Sequence, residues 1–198
     1  MIKYGLVNYI FGSPGAGKTC VLAMLNRYFL KKGYNTFSNF PLLGSTQIND
    51  EDIGYYSFSH GVILVDEAGI IYNNRDACNK RGLMQDKNRL DYWRLIRHDH
   101  VHAVFIVSQT WDDVDKKLRD ICNNYFLIKK YALFTLIRPI YKKVDIDEVS
   151  HQPTDFFVFD VFWSWRFCFR RKYFKDFNSY SMKDLPPYPA QPITSDCK

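Results

Sequence analysis

Eight residues near the start of the chain have the types and spacing to hold a phosphate. Residues 12–19 read GSPGAGKT, namely Gly12, Ser13, Pro14, Gly15, Ala16, Gly17, Lys18 and Thr19. The pattern is a glycine, four residues, then Gly-Lys-Thr. Three glycines let the backbone curl until its N–H groups face an anion. Lys18 supplies a point charge for β- and γ-phosphates, and the Thr19 hydroxyl suits a Mg²⁺ ligand. Cys20 follows in the first turn of the next element. It joins the expected nucleotide contacts as the thiol placed to react there.

A pair of carboxylates complements the loop. Gly61-Val62-Ile63-Leu64-Val65 runs into Asp66-Glu67. A buried parallel strand reads as such an apolar run, and ligands collect at its carboxyl end. Asp66 is the expected Mg²⁺ ligand, directly or through water, opposite Thr19. Glu67 is the expected base against a water at the γ-phosphate. Gln109 ends a second apolar run, residues 104–108. A strand there can lie between the loop and Asp66, which makes Gln109 a sensor of the γ-phosphate; otherwise it caps the next helix. Arg75, Arg89, Arg94, Arg97 and Arg119 are candidates for an arginine acting across a subunit boundary. Arg94 and Arg97 rank first because they precede the Gln109 strand. His98, His100 and His102 alternate, but beyond Asp99 no carboxylate or cysteine cluster completes a metal site.

These groups need elements to position them. Residues 2–11 read as a first strand and 18–31 as a helix stopped by Lys31-Lys32-Gly33. Residues 34–38 form a short strand. Residues 42–60 read as loop, with a possible strand at 55–57, and 69–86 carry no clear assignment. A helix is expected over 88–97 and a strand over 101–107. Val114, Leu118, Ile121, Cys122 and Tyr125 recur at helical spacing, with Thr110 or Asp112 as the cap. Residues 125–128 read as the adjacent strand. Residues 131–149 read as a hairpin turning at Arg138-Pro139. Residues 157–169 place aromatics at every second position, as in a strand whose odd face meets the core or a neighbouring subunit. The expected architecture is α/β, a P-loop NTPase with a central, mostly parallel sheet between helices. Residues 1–130 form the core, 131–184 a β-rich extension and 185–198 a proline-rich flexible tail.

The 198 residues fit one domain. A net charge of +6 favours an anionic partner without naming it. Five cysteines in no paired or zinc spacing read as free thiols of a reducing compartment. The apolar run 156–169 is broken by Asp160, Ser164 and Arg166, short of a spanning helix. No signal peptide opens the chain. A guanine reader of the Asn-Lys-x-Asp type is missing its aspartate, since residues 79–82 read NKRG. ATP is therefore the expected nucleotide.

Several of these stretches resemble the N-terminal ATPase domain of the Zot-like family, the gene I assembly proteins of filamentous phages. That family lies within the FtsK–HerA-like class of hexameric DNA-pumping ATPases. The similarity rests on the loop at 12–19, on Thr36-Phe37-Ser38-Asn39-Phe40, on Val65-Asp66-Glu67-Ala68, and on the run from Arg97 through Gln109 to Arg119. It covers roughly residues 4–130, with a fainter echo at 175–181. The histidine segment departs from it, reading Arg-His-Asp-His where the family shows His-Arg-His.

The resemblance implies a homo-hexameric ring with ATP and Mg²⁺ at each site. It implies a DNA partner, single-stranded and contacted through its backbone, and other virion-assembly proteins. The family continues into a membrane-spanning helix that this sequence does not contain. A truncated relative of that longer protein or a separate membrane-anchored partner, and a place in the host cytoplasm or on the cytoplasmic face of the inner membrane, are the corresponding expectations. A packaging ATPase of an icosahedral virus is the nearest alternative. A nucleoside or nucleotide kinase is the alternative of another class, opposed by the lack of a cysteine zinc module. A non-catalytic nucleotide-binding scaffold is opposed by Lys18, Asp66, Glu67 and Gln109 occurring together.

Overall fold

The computed structural model describes residues 5–71, 80–146, 153–159 and 166–177. The chain begins with β1 (Leu6–Phe11), α1 (Lys18–Lys31), β2 (Asn35–Ser38), β3 (Thr46–Gln47) and β4 (Gly61–Val65). Then come α2 (Ala68–Ile71), α3 (Lys80–Leu95), β5 (Ala103–Ser108), α4 (Lys116–Ile121) and β6 (Asn124–Tyr131). It continues with β7 (Phe134–Ile146), β8 (Pro153–Phe159) and β9 (Arg166–Phe169). The nine strands of the described residues join one sheet in the order β3-β2-β4-β5-β1-β6-β7-β8, with β9 also on β7. The pairings from β3 to β6 are parallel, and those of β7 with β6, β8 and β9 are antiparallel. The expected P-loop NTPase fold is the one observed, with β5 between β1 and β4 as required to bring Gln109 between loop and carboxylates.

The central strands are apolar on both faces because both are covered. Val62 and Leu64 of β4 and Phe105 and Val107 of β5 pack with Val21, Leu22 and Phe29 of α1. Ile63, Val65, Val104 and Ile106 pack on the opposite face with Trp93 and Ile96 at the end of α3 and Leu118 of α4. At about 1.5–3 kcal/mol for each fully buried large aliphatic or aromatic side chain, these two layers dominate the favourable side of folding.

Several sequence expectations need correction. The helix expected from residue 112 onward is three elements: a 3-10 turn at Trp111–Asp113, the short α4, and then β6. Val114, Leu118, Cys122 and Tyr125 are nonetheless all buried in one cluster. Asp115, not Thr110 or Asp112, caps α4 by accepting from Lys117 N–H at 2.9 Å. Thr110 caps the 3-10 turn reciprocally with Asp113. Residues 55–57 form no strand; Tyr56 makes only an isolated bridge with Ile53. The helix expected over 88–97 is α3, which begins at Lys80 and ends at Leu95.

The hairpin turns at Ala132-Leu133, with Ala132 at φ 46°, and not at Arg138-Pro139, which lie inside β7. Counting in twos from the Tyr131–Phe134 closing pair puts the Pro139 nitrogen on the edge away from β6. On that edge β9 pairs up to Ile137 and β8 from Ile140. Among the described residues no ladder donor is called for at 139, so proline is tolerated there. The described parts of the strand expected over 157–169, residues 157–159 and 166–169, lie on that same edge in β8 and β9. In β9 the phase is opposite to expectation toward the core: Cys168 is buried while Phe167 is 59% exposed. Residues 160–165, Arg75, the segment 72–79 and the proline-rich tail lie outside the described residues.

Candidate functional site

The site is built where β1, β4 and β5 end. Phe11 leads into the phosphate loop, whose Gly15 and Gly17 stand at φ 73° and 94°. Gly17 has a second constraint: a Cβ there would lie 2.2 Å from Thr135 Oγ1 and 2.9 Å from Arg170 Cδ. Gly17 is also the left-handed N-cap of α1, with no side chain capping it. The first amide groups of a 14-residue helix therefore face the loop without an intrahelical acceptor. That end carries partial positive charge and suits an anion.

Lys18 is 7% exposed and donates to the carbonyls of Gly12 at 2.7 Å and Ser13 at 3.2 Å. Burial holds its ammonium below the usual lysine range, opposed by the Glu67 and Asp66 carboxylates. The Thr19 hydroxyl donates to Asp66 Oδ2 at 2.9 Å, so the two expected Mg²⁺ ligands are brought together. Burial raises the Asp66 carboxyl, while the Thr19 hydroxyl and the Glu67 N–H draw it back. Among the described residues no cluster of three His, Cys, Asp or Glu side chains could hold a metal unaided. Two oxygen ligands beside a phosphate loop fit Mg²⁺, which keeps waters and borrows phosphate oxygens.

Asp66 is held by a residue not singled out above. Asn39, just after β2, accepts from Asp66 N–H at 2.8 Å and donates to Asp66 C=O at 3.0 Å. Its amide also donates to Asp50 at 3.1 Å. One side chain thus grips both sides of the Asp66 backbone. Glu67 follows at φ 52°, a left-handed conformation that a side chain adopts at a cost of order 1–3 kcal/mol. The Gln109 amide donates to the Glu67 carboxylate at 3.1 and 3.3 Å.

Lys18, Thr19, Glu67 and Gln109 line one cavity of about 320 Å³. Its remaining wall was not foreseen and comes from the turn segment that follows β9: Arg170, Phe174 and Phe177. Thr135 of β7 donates to Ala16 C=O at 2.9 Å and ties that wall to the loop. Only the basic run Arg170-Arg171-Lys172 hinted at it in the sequence. Cys20 also lines the cavity, but it is 3% exposed and burial pushes its thiol up to about 11. That burial corrects the expectation of a reactive thiol.

Arg94 and Arg97 are not brought to this cavity. Arg97 lies against Gly5, which precedes β1, at the end of the sheet opposite the loop. Arg94 is exposed and pairs with Asp91 at 3.4 Å. Arg119 holds Asp112 at 2.9 Å and covers the Trp111 ring, while Arg89 is buried and donates to Asp50 C=O at 3.0 Å. No helix among the described residues is long and apolar enough to cross a membrane.

A family model described as zonular occludens toxin (Zot) matches residues 42–158. That span holds Asp66, Glu67 and Gln109 and starts beyond the phosphate loop. Among curated proteins no sequence matches. Among solved structures, the fold is similar to the N-terminal domain of zonular occludens toxin from Neisseria meningitidis, at 18% identity and a TM-score of 0.51, covering 80% of this chain and 96% of that one. B204, the DNA-packaging ATPase from Sulfolobus turreted icosahedral virus, is similar at 11% identity and a TM-score of 0.48, covering 78% and 98%. The flagellar accessory protein FlaH from Methanocaldococcus jannaschii is similar at 13% identity and 0.48, covering 81% and 92%.

Proposed function

The chain belongs to the zonular occludens toxin (Zot) family, and from that premise we propose that it is a Mg²⁺-dependent ATPase that moves DNA during the assembly of a phage or related element. The observation that carries the reading is the convergence of Lys18, the Thr19–Asp66 pair and the Glu67–Gln109 pair on one cavity at the carboxyl edge of the sheet. In this reading the Lys18 ammonium exchanges its two loop carbonyls for β- and γ-phosphate oxygens. Thr19 and Asp66 would hold Mg²⁺, which would supply charge neutralisation on the phosphates. Glu67 accepts the proton of a water as its oxygen bonds to the γ-phosphorus. The bond from that phosphorus to the β,γ-bridging oxygen breaks, leaving ADP and phosphate. Gln109, already on the Glu67 carboxylate, orients that water.

The ring, the trans arginine and the DNA are finer parts of the same proposal. Arg94 and Arg97, remote from their own cavity, serve the site of a neighbouring subunit in a closed ring, six by the resemblance. DNA contacts are to the backbone and therefore depend on salt rather than on sequence. The place of action is the host cytoplasm, next to a membrane-anchored partner. The test is ATP turnover by the purified chain with single-stranded DNA, with double-stranded DNA and without either, alongside its mass in solution. Turnover raised by DNA in a ring-sized species is expected. A monomer that phosphorylates thymidine and ignores DNA overturns the proposal.

A further inference from the structure

The cavity has two ends, and the reading above uses only one. Glu67 and Gln109 mark the γ-phosphate end. In a phosphate loop the chain runs from the β- and γ-phosphates at the lysine toward the α-phosphate and the nucleoside. The described residues that line the cavity apart from the loop, Cys20, Glu67 and Gln109 are Arg170, Phe174 and Phe177. We propose that residues 170–177 form the nucleoside side of the ATP pocket, with the Phe174 ring stacking on the base and Arg170 meeting the phosphates from within the same chain. The inference rests on the nucleotide reading of the site.

The segment is pinned along its length, as a binding wall requires. Cys168 Sγ donates to the Cys20 carbonyl at 3.6 Å, tying β9 to the first turn of α1. Arg170 N–H donates to Leu133 C=O at 3.2 Å. Tyr173 is buried, and Asp176, 4% exposed, pairs with Arg27 of α1. Leu43 N–H donates to Asp176 C=O at 2.9 Å, and Phe177 bridges to Leu42. Between these anchors Phe174 is 54% exposed, although it lines the cavity. A lone exposed ring on a surface is ordinary. One held on a pinned turn at the open end of a phosphate site has the form of a stacking platform.

Arg170 has unused capacity as well. Its stem crosses Gly17, with Cδ 2.9 Å from where a Cβ would stand. One guanidinium nitrogen donates to Ala132 C=O, while its Nε is buried with no hydrogen-bond partner among the described residues. A buried donor without an acceptor is costly, and a phosphate oxygen beside the loop would relieve it.

Binding of Mg-ATP and of Mg-tripolyphosphate to the full chain, by titration calorimetry, separates the two ends. Phe174→Ala should weaken ATP roughly tenfold or more and leave tripolyphosphate unchanged, since only ATP carries a base to stack. Phe174→Trp should restore ATP affinity. Arg170→Gln, which keeps much of the stem and a donor, should weaken both ligands roughly tenfold. A thermal melt near wild type secures each variant as folded. Unchanged ATP affinity in Phe174→Ala, or a loss of single-stranded DNA binding in its place, overturns the inference. Wild-type protein that binds neither ligand sinks the nucleotide reading itself.

Discussion

The two ends of the parallel strands hold comparable side chains in opposite conditions. At the carboxyl ends, Lys18, Thr19, Glu67 and Gln109 line one cavity, with Asp66 behind Thr19. Lys18 rests on two carbonyls that a phosphate can replace. Glu67 stands at positive φ with its carboxylate toward Gln109. At the amino ends, Asp99 spends both carboxylate oxygens within the chain. It accepts from the Ser57 hydroxyl, from Phe58 N–H at 2.9 Å and from the Tyr92 hydroxyl at 2.6 Å. There His102 stacks on Tyr34 with ring centroids 4.3 Å apart. A carboxylate with every oxygen engaged locks a loop. One whose partners can be exchanged binds and reacts. The alternating histidines 98, 100 and 102 lie at this locked end.

Substitutions at the two ends should therefore differ in kind. The largest effect is expected for Lys18→Ala. Removing the only lysine of the loop should lower ATP turnover by roughly two orders of magnitude or more, with little change in melting temperature. A variant that melts early and loses turnover only in proportion would erase the contrast between the ends. Asn39→Ala comes next. It leaves the Asp66 backbone N–H and C=O unpaired, costing about 1–3 kcal/mol of stability. It should also raise the Mg²⁺ concentration needed for turnover by about 10–100-fold, as loss of a second-layer partner does. A Mg²⁺ titration of turnover, set beside a urea melt, reads both.

Asp99→Asn is expected to have the smallest effect, and on stability alone. Partial burial raises its carboxyl, but the Ser57, Tyr92 and Phe58 hydrogen bonds outweigh that and hold it below the usual aspartate range. The unfolded chain therefore binds the proton first as pH falls. This group's contribution is fully present above the ordinary aspartate pKa and is lost as pH drops through its lower folded value. Asp99→Asn should cost about 1 kcal/mol near neutral pH and flatten the acid limb of the stability curve. ATP affinity should not change.

The same contrast separates what the sequence made legible from what it did not. The loop at 12–19 is contiguous, and its chemistry lies in its own backbone, so spacing alone exposes it. Asp66 and Glu67 are legible because four large apolar residues in a row need a strand covered on both faces, whose end must meet solvent. The Asn39 grip on Asp66 joins residues 27 apart, and the reach of Arg170 across Gly17 spans more than a hundred; both depend on strand order. No local pattern carries them. Apolar spacing predicted the burial of Leu118, Cys122 and Tyr125 and mistook the element, because a turn, a short helix and a strand can bury residues at the same intervals. Arg138-Pro139 has the composition of a turn, yet the edge of β7 at that point lacks a ladder partner among the described residues, and the strand continues.

The account turns on Glu67 as the base. The most direct measurement is ATP binding by calorimetry paired with ATP turnover, in Mg²⁺, on wild type and on Glu67→Gln. The amide keeps the size of the side chain and its place beside Gln109 and removes the proton acceptor. The account predicts ATP affinity near that of wild type, with turnover lower by roughly two to four orders of magnitude. Full turnover by Glu67→Gln, with ATP bound as in wild type, would contradict it.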